Sequence, residues 1–192
     1  SMTSPAIDAF SAVRNPLVRA IALARISGVI GTQIINIAVR WQLYERTGSA
    51  LSLGLVGLFE LAPVLFLMIP AGNAADRFTR RNIAMAAQSV ACVAAFGLMA
   101  VSWLNGPVAY IYGMLVLVGA ARAFAAPAVG TILPQLLPRD QFVNANAWLG
   151  SAFQFASISG PAIGGLIIGW TGGATGAYFV AALGQLIFVV AF

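Results

Sequence analysis

Four polar side chains share one face of an apolar stretch near the N-terminus. Arg25, Thr32, Asn36 and Arg40 recur at spacings of seven, four and four, which puts them on one side of a helix with Gln33 at its margin. Polar groups inside an apolar helix are costly and belong against a cavity or a partner helix. Two readings stay open for Thr32, Gln33 and Asn36: one wall of a water-filled substrate pathway, or hydrogen bonding between helices. Arg25 and Arg40 can also snorkel to the two ends of the helix, which is the favoured reading for Arg25. Glu60 sits midway along the next apolar stretch, in Leu58-Phe59-Glu60-Leu61-Ala62-Pro63. A charged carboxylate there costs roughly 3 kcal/mol, so it must be neutral, paired or hydrated. Its chemistry is that of a proton carrier, or of a static ion pair with Arg40 or Arg122. Arg122, in Gly119-Ala120-Ala121-Arg122-Ala123-Phe124, lies too deep in its stretch to snorkel easily. It pairs with a carboxylate or offers positive charge to a substrate.

Two further patterns concern geometry. The run from Gly72 to Arg81 is a charged decapeptide between two apolar segments, and it carries Asp76, Arg77, Arg80 and Arg81. An Asp at a helix end can meet the positive N-terminus of a neighbouring helix, and the Arg residues can pair with carboxylates of other loops. That is a latch; the plainer alternative is anchoring at the membrane surface. Gly160-Pro161-Ala162-Ile163-Gly164-Gly165 joins a kinking proline to glycines that let another helix approach closely.

These residues need a membrane-embedded frame. Hydrophobic residues make up 60% of the 192-residue chain and charged residues 8%. A soluble domain covers its surface with about a quarter charged residues, so the solvent here is largely lipid. Long apolar runs without period-two alternation indicate helices, not barrel strands. The 20 glycines suit close helix approach. The net charge of +5 is not a nucleic-acid footprint, because the arginines sit mostly in loops. No His is present, and Cys92 lies alone in an apolar segment, where it reads as a small packing residue. No nucleophile–base pair, metal cluster or phosphate loop is visible, so no enzyme activity and no cofactor are expected.

The chain reads as a polar segment over 1–16 and a six-helix transmembrane bundle over 17–192. The helices are expected at 17–44, 51–73, 81–104, 108–130, 140–170 and 175–192, with Pro16 at the first helix start and Pro134 and Pro138 framing a short connector. Ser1-Met2 reads as a remnant ahead of the natural start. Arg14, Arg19, Arg77, Arg80, Arg81 and Arg139 fall on one side and Arg46 on the other, which predicts a cytoplasmic N-terminus. The end at Val189-Val190-Ala191-Phe192, without a basic anchor, reads as a cut chain. Pro70-Ala71-Gly72 in helix 2 and Pro161 to Gly165 in helix 5 form a weak echo at opposite membrane faces, as inverted three-helix repeats would.

The decapeptide resembles the loop between helices 2 and 3 of the major facilitator superfamily: Gly, three residues, Asp-Arg, a variable residue, Gly, then two basic residues. Gly72, Asp76, Arg77, Arg80 and Arg81 match, and Thr79 stands where the family has Gly. The position of Arg122 resembles the helix-4 Arg signature of superfamily antiporters. Gly160, Pro161, Gly164 and Gly165 resemble the helix-5 signature, with Ala147 and Ala156 in place of its earlier glycines. The stretch from Leu133 to Asp140 with Asn144-Ala145-Asn146-Ala147, and Tyr44 to Ala50, are similar to the branch of siderophore exporters and macrolide efflux pumps.

The resemblance implies one half, the N-terminal one, of a two-half transporter in a bacterial inner membrane. Its partners would be the lipid bilayer, a small-molecule substrate, protons and a second six-helix half. That half is either a C-terminal one or another copy in a parallel homodimer. The implied function is proton-coupled export of drugs or siderophore-like molecules by alternating access. Thr32, Gln33, Asn36, Arg40 and Arg122 would line the cavity, Glu60 would carry the proton, and Gly72, Asp76, Arg77, Arg80 and Arg81 would form the cytoplasmic gate. Nutrient uptake, and a membrane receptor or scaffold without transport, are the alternatives.

Overall fold

The computed structural model describes the backbone of residues 10–191 and their side chains except those of residues 127–136 and 140. Six helices follow one another: α1 (Pro16–Thr47), α2 (Ala50–Arg77), α3 (Arg80–Trp103), α4 (Val108–Leu136), α5 (Arg139–Thr171) and α6 (Thr175–Ala191). Among the described residues no strand occurs. Five of these helices are long and apolar enough to cross a membrane, and α6 is a shorter apolar helix. The chain is a multi-pass membrane protein.

Local chemistry sets the helix ends. The Asn15 side chain accepts from the Leu17 amide at 3.0 Å, with Pro16 in the first turn, and Ser49 caps α2 through Leu51 in the same way. Gly48 (φ 63°) and Gly172 (φ 72°) end α1 and α5 in the left-handed conformation that glycine adopts without strain. Several helices run further than the sequence suggests. α1 continues through Glu45-Arg46-Thr47, because the left-handed stop lies at Gly48. α4 continues to Leu136, so Pro134 opens no connector; a membrane helix tolerates proline where neighbouring groups satisfy the freed carbonyl.

The largest correction concerns the decapeptide. Gly72 to Arg77 is the last part of α2, and only Phe78 and Thr79 separate it from α3. Phe78 closes α2 by donating its amide to Ala74 O at 2.9 Å. Thr79 is extended (φ −64°, ψ 135°), a conformation open to any residue. The turn therefore needs no glycine at this position.

The packing is not sequential. α1 packs on α5 and α6, α4 packs on α2 and α3, and α3 packs on α6, while chain neighbours α1–α2, α2–α3, α4–α5 and α5–α6 touch little. Exchanging α1 with α4, α2 with α5 and α3 with α6 leaves this pattern unchanged. Long helices joined by short connections alternate in direction, so α1 and α4 run oppositely. The two three-helix repeats are thus inverted, related by an axis in the membrane plane. This is half of a major facilitator fold. One main core unites Ile34, Ile35, Leu43, Leu98, Ile111, Leu115 and Tyr178.

Candidate functional site: the polar sides of α1 and α4

The faces of α1 are assigned by what each touches. A Cβ at Gly160 would lie 2.6 Å from Gln33 Cβ, and one at Gly164 would lie 2.7 Å from Ile37 Cγ2 and 3.4 Å from Ile34 Cα. Ile30, Gln33, Ile34 and Ile37 therefore form the α5 side. Gly165 only grazes Ile37, at 3.9 Å. A Cβ at Gly184 would meet Ser27 O at 2.7 Å, and one at Gly31 would meet Ala181 O at 2.9 Å. Ser27, Gly28 and Gly31 thus form the α6 side. These glycines have one shared purpose, which is helix approach closer than any side chain permits.

A third side of α1 remains. Leu43, Asn36 and Arg25 repeat there at spacings of seven and eleven, two and three turns of helix. Leu43 is fully buried in the main core, Asn36 and Arg25 are half-buried, and Arg40 beside them is exposed. α4 mirrors this. Ile111 and Leu115 are fully buried, and Arg122, eleven and seven residues further on the same face, is exposed. Leu43 of α1 and Ile111 and Leu115 of α4 thus belong to one buried core toward one end of these sides. Toward the end that carries Arg14, Arg19, Arg77, Arg80, Arg81 and Arg139, these sides carry polar residues instead, the half-buried Asn36 and Arg25 on α1 and the exposed Arg122 on α4.

Arg40 Nη1 donates to Asn36 O at 3.1 Å, one turn back on the same helix, and Arg25 Cζ lies 5.8 Å from the centroid of the Phe153 ring on α5. Thr32 turns toward α6: its hydroxyl donates to Gly28 O at 3.0 Å and accepts from Gln185 Nε2 at 3.1 Å. Gln33 lies where α1 and α5 cross. The members on α1 therefore split between its polar side, α5 and α6, and Arg122 stands apart on α4.

Glu60 lies behind α4, on α2, and is 6% exposed. Gly119 of α4 packs directly on the Glu60 backbone and on Pro63. Among the described residues no hydrogen bond or ion pair engages the Glu60 carboxylate, so neither Arg40 nor Arg122 forms the static pair considered from the sequence. In the decapeptide, Asp76 and Arg77 are exposed in the last turn of α2, Arg80 and Arg81 open α3, and Gly72 has open space around its Cα.

Sequence reasoning missed a buried polar layer. Gln185 on α6, 2% exposed, donates through Nε2 to Gly28 O (3.3 Å) and Thr32, and its Oε1 accepts from Gln88 Nε2 on α3. Nearer Leu43 and the main core, Tyr178 OH donates to Gln42 Oε1 at 2.8 Å. The signal was available: a Gln inside an apolar helix needs a partner. The segment before Pro16 was also missed. Phe10 packs on Trp148 (5.7 Å between centroids) and the Ala12 amide donates to Asn144 Oδ1 at 3.1 Å, which fixes residues 10–15 to the start of α5. Residues 1–9 lie outside the described residues.

Comparison with known proteins agrees with this architecture. The profile of the transmembrane secretion effector family matches residues 7–192. The multidrug efflux pump Tap of Mycobacterium tuberculosis is 31% identical over 178 residues, covering 89% of this chain and 42% of that protein. Tap of Mycolicibacterium fortuitum is 28% identical over 166 residues, 83% of the chain and 40% of the relative. The enterobactin exporter EntS of Escherichia coli is 29% identical over 175 residues, 90% of the chain and 42% of the relative. The chain spans about two fifths of the length of these proteins (40–42%). No solved structure matches it. With inverted three-helix repeats, an Asp-Arg motif closing α2, and a profile match along nearly its whole length, the chain belongs to the transmembrane secretion effector family of the major facilitator superfamily.

Proposed function

We propose that this chain forms one six-helix half of a secondary exporter that moves drugs or siderophore-like small molecules out of a bacterial cell by alternating access, coupled to protons. The observation that carries this reading is the polar side that α1 and α4 each present within an apolar bundle, buried at Leu43, Ile111 and Leu115 and exposed at Arg40 and Arg122. Polar residues within the spans of one half are what a substrate pathway at the interface of two halves uses. Relatives described as a multidrug efflux pump and an enterobactin exporter support the direction and the substrate range.

In this proposal the N-terminus and the Arg-rich end face the cytoplasm, by the positive-inside rule, in the inner membrane. Gln33, Asn36, Arg40 and Arg122 line the cavity. Thr32 contributes through its tie to Gln185. Glu60 exchanges the coupled proton. Gly72, Asp76, Arg77, Arg80 and Arg81 form the inner gate. Gly160, Pro161, Gly164 and Gly165 hold α5 against α1. The second half is a C-terminal six-helix unit or another copy in parallel. The exposed apolar side chains of α2 and α5, among them Leu58, Leu65, Ile158 and Leu166, are available to receive it.

Mass measurement in lipid nanodiscs separates the two forms of second half: a dimer supports the paired copy and a monomer the C-terminal unit. Flux then tests the function. Proteoliposomes carrying the chain with its second half should accumulate an efflux substrate when the lumen is made acid. No gradient-driven accumulation of any substrate tried would overturn the proposal.

A further inference from the structure

Beyond transport and independently of it, we infer that the groove between α2 and α3 binds an anionic phospholipid, one acyl chain lying in the groove and the phosphate meeting Arg77 and Arg80. The groove encloses about 580 Å³. Ala74 and Phe78 at the end of α2 form one wall, Ile83 and Ala87 of α3 the other, and Leu117 and Phe124 of α4 the floor. It exists because α2 and α3 touch little while both pack on α4. Among the described residues Asn82, at the Arg-rich end, is its one polar lining side chain.

The groove faces lipid. Ala74 lies nine residues, two and a half turns, beyond Leu65, so the groove is on the side of α2 opposite Leu65. Leu65 and Leu58 are the side chains available to the second half, which leaves the groove to the bilayer. On α3, the exposed Ala86, Val90 and Val93 continue it along one outward stripe. From Asn82 to Val90 it runs about 12 Å along α3, most of the roughly 15 Å of hydrocarbon in one leaflet.

Charge selects the headgroup. Arg77 follows Ala74 by three residues, and Arg80 precedes Ile83 and Ala87 by three and seven, so both border the groove. Among the described residues neither guanidinium has a hydrogen bond or ion pair. Asp76, two residues from Ala74, and Arg81, nine residues before Val90, lie on the far sides of their helices. Thr79 makes no side-chain cap, so the first-turn amides of α3 add donors beside Arg80. Guanidinium groups bind phosphate by paired N–H bonds, and basic pockets between membrane helices recognise anionic headgroups. A choline headgroup brings its own cation to the same two arginines and gains less.

Two lipids with the same palmitoyl and oleoyl chains test this: phosphatidylglycerol and phosphatidylcholine. Each is titrated onto the full 192-residue chain in detergent, and bound lipid is counted by native mass spectrometry. Phosphatidylglycerol should bind about tenfold more tightly. Arg77→Gln and Arg80→Gln should each weaken it roughly fivefold and leave phosphatidylcholine unchanged. Arg139→Gln removes a charge from the start of α5, away from the groove, and should change neither. Ala86→Phe, at an exposed position, fills the groove and should weaken both lipids roughly threefold or more. Free glycerol phosphate should not displace bound lipid, because it has no chain for the groove.

Helical circular dichroism identifies folded variants, and either single Arg variant serves if the other fails. Equal binding of the two lipids overturns the inference. So does an Arg139→Gln loss as large as those at Arg77 and Arg80, the result expected of unspecific charge attraction. Unchanged binding in Ala86→Phe, or displacement by glycerol phosphate, removes the acyl chain from the groove and overturns it as well.

Discussion

Gly119 of α4 rests on the backbone of Glu60 in α2. A Cβ at Gly119 would overlap the Glu60 carbonyl oxygen and lie 3.2 Å from both the Glu60 carbonyl carbon and Pro63 Cγ. The neighbour is backbone, so no rotamer change relieves the overlap. Gly119→Ala should force α2 and α4 apart and cost about 1–3 kcal/mol. Gly113→Ala on the same helix meets nothing within 4 Å and should be neutral or stabilise by up to about 1 kcal/mol. Thermal unfolding in detergent compares them. Equal midpoints for the two variants would show that the α2–α4 contact is looser than described.

The Gln88–Gln185–Thr32 layer ties α3, α6 and α1 together. Gln185→Leu removes an acceptor and a donor while keeping side-chain volume. Hydrogen bonds between membrane helices contribute about 0.6 kcal/mol each on average, up to about 2. A loss of roughly 1–3 kcal/mol is expected, with Gln88→Leu costing less because it removes one bond. A double-mutant cycle for the two should show coupling above about 0.5 kcal/mol. Strict additivity would mean the pair does not interact.

The polar side of α1 and the buried layer were legible to different degrees. The spacing of Arg25, Asn36 and Arg40 placed them on one helical side, because an isolated helix has a fixed period. What lies against that side is a tertiary fact. Thr32 belongs to the same stripe by spacing yet turns to α6, since Gln185 competes for its hydroxyl from a helix 153 residues away in the chain. The Gly160–Gly164 motif announced a close helix pair but not its partner, which is α1. The α2 end at Arg77 was obscured by its own charges. Gly72, Asn73 and Asp76 look like a loop, but nothing in their surroundings opposes a helix that is leaving the apolar region.

Thr79 is the one departure from the family pattern in the α2–α3 connection. Its extended backbone is available to threonine, so the departure carries no strain. Thr79→Gly should therefore bring no gain in stability. It should lower stability by up to about 1 kcal/mol, because glycine gives the unfolded chain more freedom. A rise in unfolding midpoint on this substitution would show that threonine is strained there.

Glu60 is the one carboxylate midway along a span, Glu45 and Asp76 lying in last turns, and among the described residues no ion pair engages it. In the proposed exporter it is the group assigned to exchange the coupled proton. Glu60→Gln keeps the shape and fixes the neutral state. The variant should fold, with an unfolding midpoint equal to or above that of the parent at neutral pH, since burying an amide costs less than burying a carboxylate. In proteoliposomes carrying both halves, the parent's substrate accumulation should grow as the lumen is acidified relative to the outside. In Glu60→Gln that dependence should disappear, while substrate-for-substrate exchange without a gradient continues. A variant that still responds to the gradient would remove Glu60 from the coupling step. A variant that loses exchange as well would show that the carboxylate serves the conformational change itself.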